Sequence, residues 1–169
     1  EQVALMVNYL SVFSSAFTIL FMFWSITNLV RKVALKKTNP SDPYEEDIKF
    51  TQGKKIAVLG SGFVGSLAFT FSDSFWFSAV EAEVYAMAIC LMAVLFWLVL
   101  RWADEMHKPR GNKWLVLISL VIGLAFGVHL MGLLTIPALG MIYYFKNYKE
   151  TTIPGFILAN VISVAVLMF

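Results

Sequence analysis

Three carboxylates, Asp73, Glu81 and Glu83, fall in the segment from Phe71 to Tyr85, interleaved with Phe75, Trp76, Phe77 and Tyr85. Aromatic rings and low dielectric disfavour the charged form of a carboxyl group. A carboxyl whose pKa is drawn toward neutrality can serve as general base or general acid. On one helix, residues i and i+2 point to nearly opposite sides, so Glu81 and Glu83 could not both aim at one atom, whereas Glu81 and Tyr85 would share a face. The same segment also suits a solvated interfacial loop anchored by Trp76. His129 is the only acid, base or histidine in 114–145. An ionisable residue in such surroundings is a functional candidate, able to donate to a phosphate oxygen or to shuttle a proton. Its plainer role is to cap backbone carbonyls where the chain turns. A third pattern, Gly60-Ser61-Gly62-Phe63-Val64-Gly65 after Lys54-Lys55-Ile56-Ala57-Val58-Leu59, has the spacing of a dinucleotide fingerprint, and Glu81 and Glu83 lie about 20 residues on. Dinucleotide binding requires a βαβ unit in a parallel sheet. The chain downstream supplies apolar runs instead, and small residues that let helices approach closely account for the glycines.

The elements that must position these residues are set by composition. Apolar residues make up 59% and charged residues 14% of 169, with mean hydropathy +0.75. Soluble chains carry about 25% charged residues, so this chain cannot cover a water-facing surface and reads as an all-α integral membrane protein. A net charge of +2 leaves no electrostatic footprint for nucleic acid. The lone cysteine, Cys90, excludes an intrachain disulfide framework and a cysteine-based metal site. A spanning helix needs about 20 apolar residues. The runs predict about six spans at 3–30, 56–72, 84–100, 114–128, 130–145 and 152–169, with 114–145 folded as a hairpin of two short helices turning near His129. Segment 73–83 is expected to be an acidic and aromatic loop. The first run lacks the organisation of a signal peptide, and a chain running from Glu1 to Phe169 inside an apolar stretch reads as part of a longer protein. All thirteen Lys and Arg residues fall in 31–55, 101–113 and 146–150, while the alternate loops hold Asp73, Glu81 and Glu83. The positive-inside rule makes the basic side cytoplasmic and the acidic side extracytoplasmic.

Three blocks carry a family resemblance: Asn8-Tyr9-Leu10-Ser11 and the apolar run to Trp24, "FSDSFWFSAVEAEVYA" from Phe71, and "GLAFGVHLMGLLTIPAL" from Gly123. In this order they resemble the DUF2723 family, bacterial polytopic membrane proteins common in Bacteroidetes and related to TMEM260-type protein O-mannosyltransferases. The resemblance implies a GT-C glycosyltransferase architecture in the bacterial inner (cytoplasmic) membrane. It also implies a lipid-linked (polyprenyl-phosphate) sugar donor, a protein acceptor on the extracytoplasmic side, and contact with membrane lipid. Residue by residue, the AEVYA block matches Glu81, Glu83 and Tyr85 and the GVHL block matches His129; Glu81, Glu83 and His129 are the candidate catalytic residues, and Asp73, Trp76 and Tyr85 the candidate substrate-binding ones. The family also carries an acidic residue in its first extracytoplasmic loop, the expected catalytic base, which would precede Glu1. No cofactor is required, although Asp73 and a glutamate could ligate a divalent cation such as Mg²⁺ or Mn²⁺. Two other classes fit the same residues. One is a proton-coupled transporter or lipid flippase that uses the membrane acids and His129 as a path. The other is a non-catalytic membrane subunit.

Overall fold

The computed structural model describes residues 2–35, 51–81, 84–148 and 150–168. Glu83 and most of the basic segment 31–55 lie outside them. The described residues form helices α1 (Gln2–Ala34), α2 (Gln52–Thr70), α3 (Asp73–Val80), α4 (Val84–Glu105), α5 (Lys113–Val128), α6 (Thr135–Asn147) and α7 (Ile153–Met168), with a 3-10 turn at Leu130–Leu134. No strand occurs among the described residues. The protein is an all-helical membrane bundle. Two helices are long and apolar enough to cross a membrane, Leu5–Ala34 and Val84–Glu105, and a third span results if α2 and α3 count as one bent unit. About six spans are expected; among the shorter apolar helices, α5 with 16 residues reaches about 24 Å against a hydrocarbon core of about 30 Å.

On α1 the inward face is polar and the outward face apolar. On α1 the buried positions Ser11, Ser14, Thr18 and Ser25 repeat at three-, four- and seven-residue intervals, while Phe13, Phe17 and Leu20 face outward. Small hydroxyl residues let α1 lie close to its neighbours, and Thr18 satisfies its own hydroxyl by donating to the Ser14 carbonyl at 2.8 Å. On α2, Val58, Gly62 and Ser66 form the matching seam. The Gly60–Gly65 pattern therefore lies in the middle of a helix, where the residues from Gln52 to Leu59 that lead into it are helical too. A Cβ on Gly62 would sit 2.5 Å from the Thr27 methyl and one on Gly65 2.8 Å from Ile26 Cδ1, whereas one on Gly60 would meet nothing. Gly62 and Gly65 serve helix packing, and the pattern does not sit at a strand-to-helix turn as a dinucleotide fingerprint requires.

The centre of the bundle is α4, which packs against α1, α3, α5 and α6. Leu95, Leu98, Val99 and Trp102 interlock with Ile118 and Val121 of α5. In lipid this seam gains from close packing, because hydrocarbon is as apolar as leucine and water exclusion adds little. An aromatic series, Phe21, Trp24, Trp97 and Trp114, ties α1, α4 and α5 together with successive centroids 5.3–6.2 Å apart.

The start of α5 lies at the end of α4, where Trp114 donates to Glu105, and the end of α5 lies at the start of α4, where His129 meets Tyr85. The following helix returns, since Tyr143 near the end of α6 stacks on Trp102. The run 114–145 thus breaks and reverses at His129. Pro137 and Pro154 both fall in the first turns of their helices, where the missing N–H costs nothing. Tyr144 fastens α6 to α7: its hydroxyl accepts from the Thr152 amide at 3.1 Å and donates to the Thr152 carbonyl at 3.3 Å.

Candidate functional site

Segment 73–83 was expected to be a loop, but Asp73–Val80 is a helix, bent 66° from α2. The bend falls at Phe71 and Ser72. Ser72 leaves the helical conformation, its hydroxyl donates to the Phe69 carbonyl at 2.8 Å, and its carbonyl accepts the first bond of α3 from Trp76 at 2.9 Å. Asp73 opens α3, where a carboxylate complements the positive helix end. Phe75 is buried against Phe69, with centroids 4.7 Å apart, and Trp76 lies outside, stacked on Phe71.

Glu81 caps the C-terminus of α3 in an extended conformation, and α4 starts at Val84. Glu81 and Tyr85 therefore do not share the face of one helix as expected; the helix is broken between them. Glu81 is exposed and makes no side-chain hydrogen bond or ion pair among the described residues, so it is not joined to His129. Glu83 lies outside the described residues.

Tyr85 and His129 do come together. Their ring centroids are 5.7 Å apart, at 51°. His129 ends α5 and opens the 3-10 turn in extended conformation, and its Nδ1 accepts from the Met131 amide at 3.2 Å. The imidazole is a cap, but for an amide of the following turn rather than for carbonyls. With Nδ1 engaged as acceptor, a neutral ring carries its proton on Nε2. The two rings thus stand in contact at the end of the bundle where α4 starts and α5 ends. A cavity of about 670 Å³ runs between α1, α3 and α4, lined by Phe75, Met92, Phe96 and Met131 with Ser25 and Ser78; Met131, whose amide bonds to His129, is in its wall, while Tyr85 and His129 are not. Ser25 is 1% exposed and its hydroxyl has no partner. No group of three His, Cys, Asp or Glu residues among the described residues could hold a metal ion, and Glu83 lies outside them.

The opposite end of the bundle was not legible as a site. Segment 101–113 was taken as a charged loop, yet α4 continues through Glu105. Glu105 accepts from Trp114 Nε1 at 2.8 Å and pairs with Arg101 at 3.1 Å and Lys113 at 3.2 Å, while Asp104 pairs with Lys32 at 2.7 Å. Two carboxylates oppose the negative end of the helix, and these cations offset the cost. The signal available was the i,i+4 spacing of Arg101 and Glu105, which stabilises a helix rather than ending one.

Fold and site together define a polytopic helical membrane protein with the Tyr85–His129 contact at one end, a mostly apolar cavity between α1, α3 and α4, and a charged groove at the other end. Residues 1–152 match the family model described as Protein O-mannosyl-transferase TMEM260 N-terminal domain, and the chain belongs to that family. Neither the curated proteins nor the solved structures yielded a match.

Proposed function

We propose that the protein is a membrane glycosyltransferase of GT-C type that moves a hexose, mannose by the description of its family, from a polyprenyl-phosphate donor to a hydroxyl of an extracytoplasmic protein. The family match over residues 1–152 carries this proposal. The DUF2723 resemblance narrows it to the inner membrane of a bacterium, with the basic segments cytoplasmic by the positive-inside rule.

The chemistry follows from the groups present. A carboxylate takes the proton of the acceptor hydroxyl as its oxygen attacks the anomeric carbon, and the bond from that carbon to the donor's phosphate oxygen breaks. Glu81, Glu83 or the acid expected in the loop before Glu1 fills that role. The departing phosphate gathers negative charge, which the Nε2–H of His129 and the hydroxyl of Tyr85 can stabilise by hydrogen bonding. Asp73 and Trp76, on the adjoining helix α3, contact the sugar or acceptor. The 670 Å³ cavity has the apolar lining that an isoprenoid chain needs.

The test is turnover of a polyprenyl-phosphate hexose by the full-length protein with a protein acceptor. Transfer is expected, and Glu81→Gln should reduce turnover far more than donor binding, because it removes a charge with little change in shape. Wild-type turnover in Glu81→Gln would remove that residue from the mechanism. The break of 114–145 at His129 favours one second reading, a proton-coupled transporter or flippase, since interrupted helices line transport sites. Proton-linked substrate uptake in vesicles without sugar transfer would establish it.

A further inference from the structure

Helices α6 and α7 pack against each other as a hairpin. Gly140 of α6 faces Ser163 of α7, and Tyr144 faces Gly155, so the two run antiparallel. The end of α6 lies at the basic end of the bundle, where Tyr143 stacks on Trp102 of α4. A cavity of about 400 Å³ follows the seam of this hairpin. Tyr143, Tyr144, Tyr148 and Glu150 line it, together with Leu158 and Ile162 of α7.

Part of the wall is fixed by contacts within the hairpin. Tyr144 is buried, and its hydroxyl is spent on the backbone of Thr152, whose amide donates to it and whose carbonyl accepts from it. Gly155 permits that approach, since a Cβ there would sit 2.5 Å from the Tyr144 hydroxyl. Tyr148 packs on Tyr144, with ring centroids 5.3 Å apart. The charge in the wall is unanswered. Glu150 makes no hydrogen bond or ion pair among the described residues, and neither does Lys146 in the last turn of α6. Four residues apart in the chain, these two offer one negative and one positive group.

A carboxylate beside tyrosine rings suits an ammonium group, which gains from the charge by ion pairing and from an aromatic face by cation–π attraction. A metal ion would find one carboxylate there and no group of three ligands among the described residues. A small soluble amine would leave the apolar wall unused, where Leu158 and Ile162 are each more than half exposed. A phospholipid with an anionic headgroup would bring a like charge to Glu150. A phospholipid with an ammonium headgroup uses carboxylate, rings and apolar wall together, and its phosphate answers Lys146.

We propose that this cavity binds one phospholipid with a primary-ammonium headgroup from the leaflet at the basic end, the ammonium between Glu150 and Tyr148 and an acyl chain along Leu158 and Ile162. The inference is independent of the proposed sugar transfer, which uses the other end of the bundle.

Native mass spectrometry of the full chain, released from micelles containing equal phosphatidylethanolamine and phosphatidylglycerol, tests it. The unmodified protein should keep one phosphatidylethanolamine and little phosphatidylglycerol. An exposed ion pair and an exposed cation–π contact are each worth up to about a factor of five. Glu150→Gln and Tyr148→Leu should therefore each weaken retention about two- to five-fold, and the double variant about ten-fold. Asp73→Asn, which removes a carboxylate at the other end of the bundle, should keep the lipid. Equal retention of the two lipids by the unmodified protein would overturn the proposal without any variant. So would retention of neither, which would mean that another segment of the full chain fills the cavity. Equal loss in Asp73→Asn and Glu150→Gln would mean surface charge without a site, and displacement of the lipid by millimolar ethanolamine would mean a free-amine site; either result would also overturn it.

Discussion

Replacing Gly62 by alanine places a methyl group 2.5 Å from Thr27 Cγ2 and 3.0 Å from the Phe23 ring. Carbon atoms in good contact stand about 3.5–4.0 Å apart, so α1 and α2 must part locally by about 1 Å or Thr27 must turn away. Thr27 cannot turn freely, because its hydroxyl donates to the Phe23 carbonyl at 2.9 Å and to the Trp24 carbonyl at 3.0 Å. Overpacking of this kind costs about 1–3 kcal/mol. Alanine also gains up to about 1 kcal/mol over glycine in a helix, and that gain must be separated. Gly60→Ala supplies the reference, since its methyl group meets nothing within 4 Å. Gly62→Ala should therefore be about 1–3 kcal/mol less stable than Gly60→Ala. Gly65→Ala should fall between them, because its neighbour is the mobile tip of Ile26 at 2.8 Å. Unfolding in mixed micelles by added dodecyl sulfate, followed by tryptophan fluorescence, measures the differences. Thr27→Ser, which keeps the hydroxyl and removes the methyl, should restore part of the loss in Gly62→Ala. Equal stability of Gly62→Ala and Gly60→Ala would refute the packing argument. Equal damage at Gly60, Gly62 and Gly65 would point to a role for the whole motif that helix packing does not explain.

Other expectations follow from the two ends of the bundle. Glu105→Ala leaves Trp114 Nε1, Arg101 and Lys113 without their shared acceptor and should loosen the α4–α5 junction, seen as earlier unfolding in the same micelle assay; no change would mean that water replaces the carboxylate. At His129 two roles can be separated. His129→Asn keeps a side-chain acceptor for the Met131 amide, so it should unfold like the parent while sugar transfer falls, whereas His129→Leu loses the cap as well, at about 1 kcal/mol; full activity in both variants would free the imidazole of a role in transfer. Tyr85→Phe should lower turnover more than donor affinity if the phenol acts only on the departing phosphate, and an unchanged turnover number would remove it from that step.

The sequence pattern reached some of this architecture and missed other parts for identifiable reasons. The break at His129 was readable because Gly123, Gly127, Gly132 and Pro137 punctuate a run too long for one helix and too short for two full spans. The same alternation brings the start of α4 and the end of α5 to one side, but that Tyr85 is the residue meeting His129 there was not read from the sequence. The bend before α3 was not readable. Residues 73–80 carry one carboxylate among aromatics, a pattern shared by interfacial loops and short interfacial helices, and the deciding bond from Ser72 to Phe69 is a local choice of one hydroxyl. The expectation that Glu81 and Tyr85 share a helical face failed because it assumed one unbroken helix. The groove at the basic end was hidden because Arg101 looked like the end of a span. Its guanidinium is paired within the same helix, and charge counting alone does not distinguish a loop from a helical turn whose charges are matched.

The central claim is that sugar transfer occurs at the end of the bundle bearing Tyr85 and His129. Sealed vesicles carrying the full-length protein can test it with a membrane-impermeant acceptor peptide and a polyprenyl-phosphate mannose in the bilayer. Orientation is read in parallel from single cysteines at Ser78 and Arg110, in a Cys90→Ser background, with an impermeant maleimide. The peptide should be mannosylated only in vesicles whose outer face labels position 78, and this transfer should fall in His129→Asn. Mannosylation from the face that labels position 110, or transfer that ignores orientation, would contradict the account.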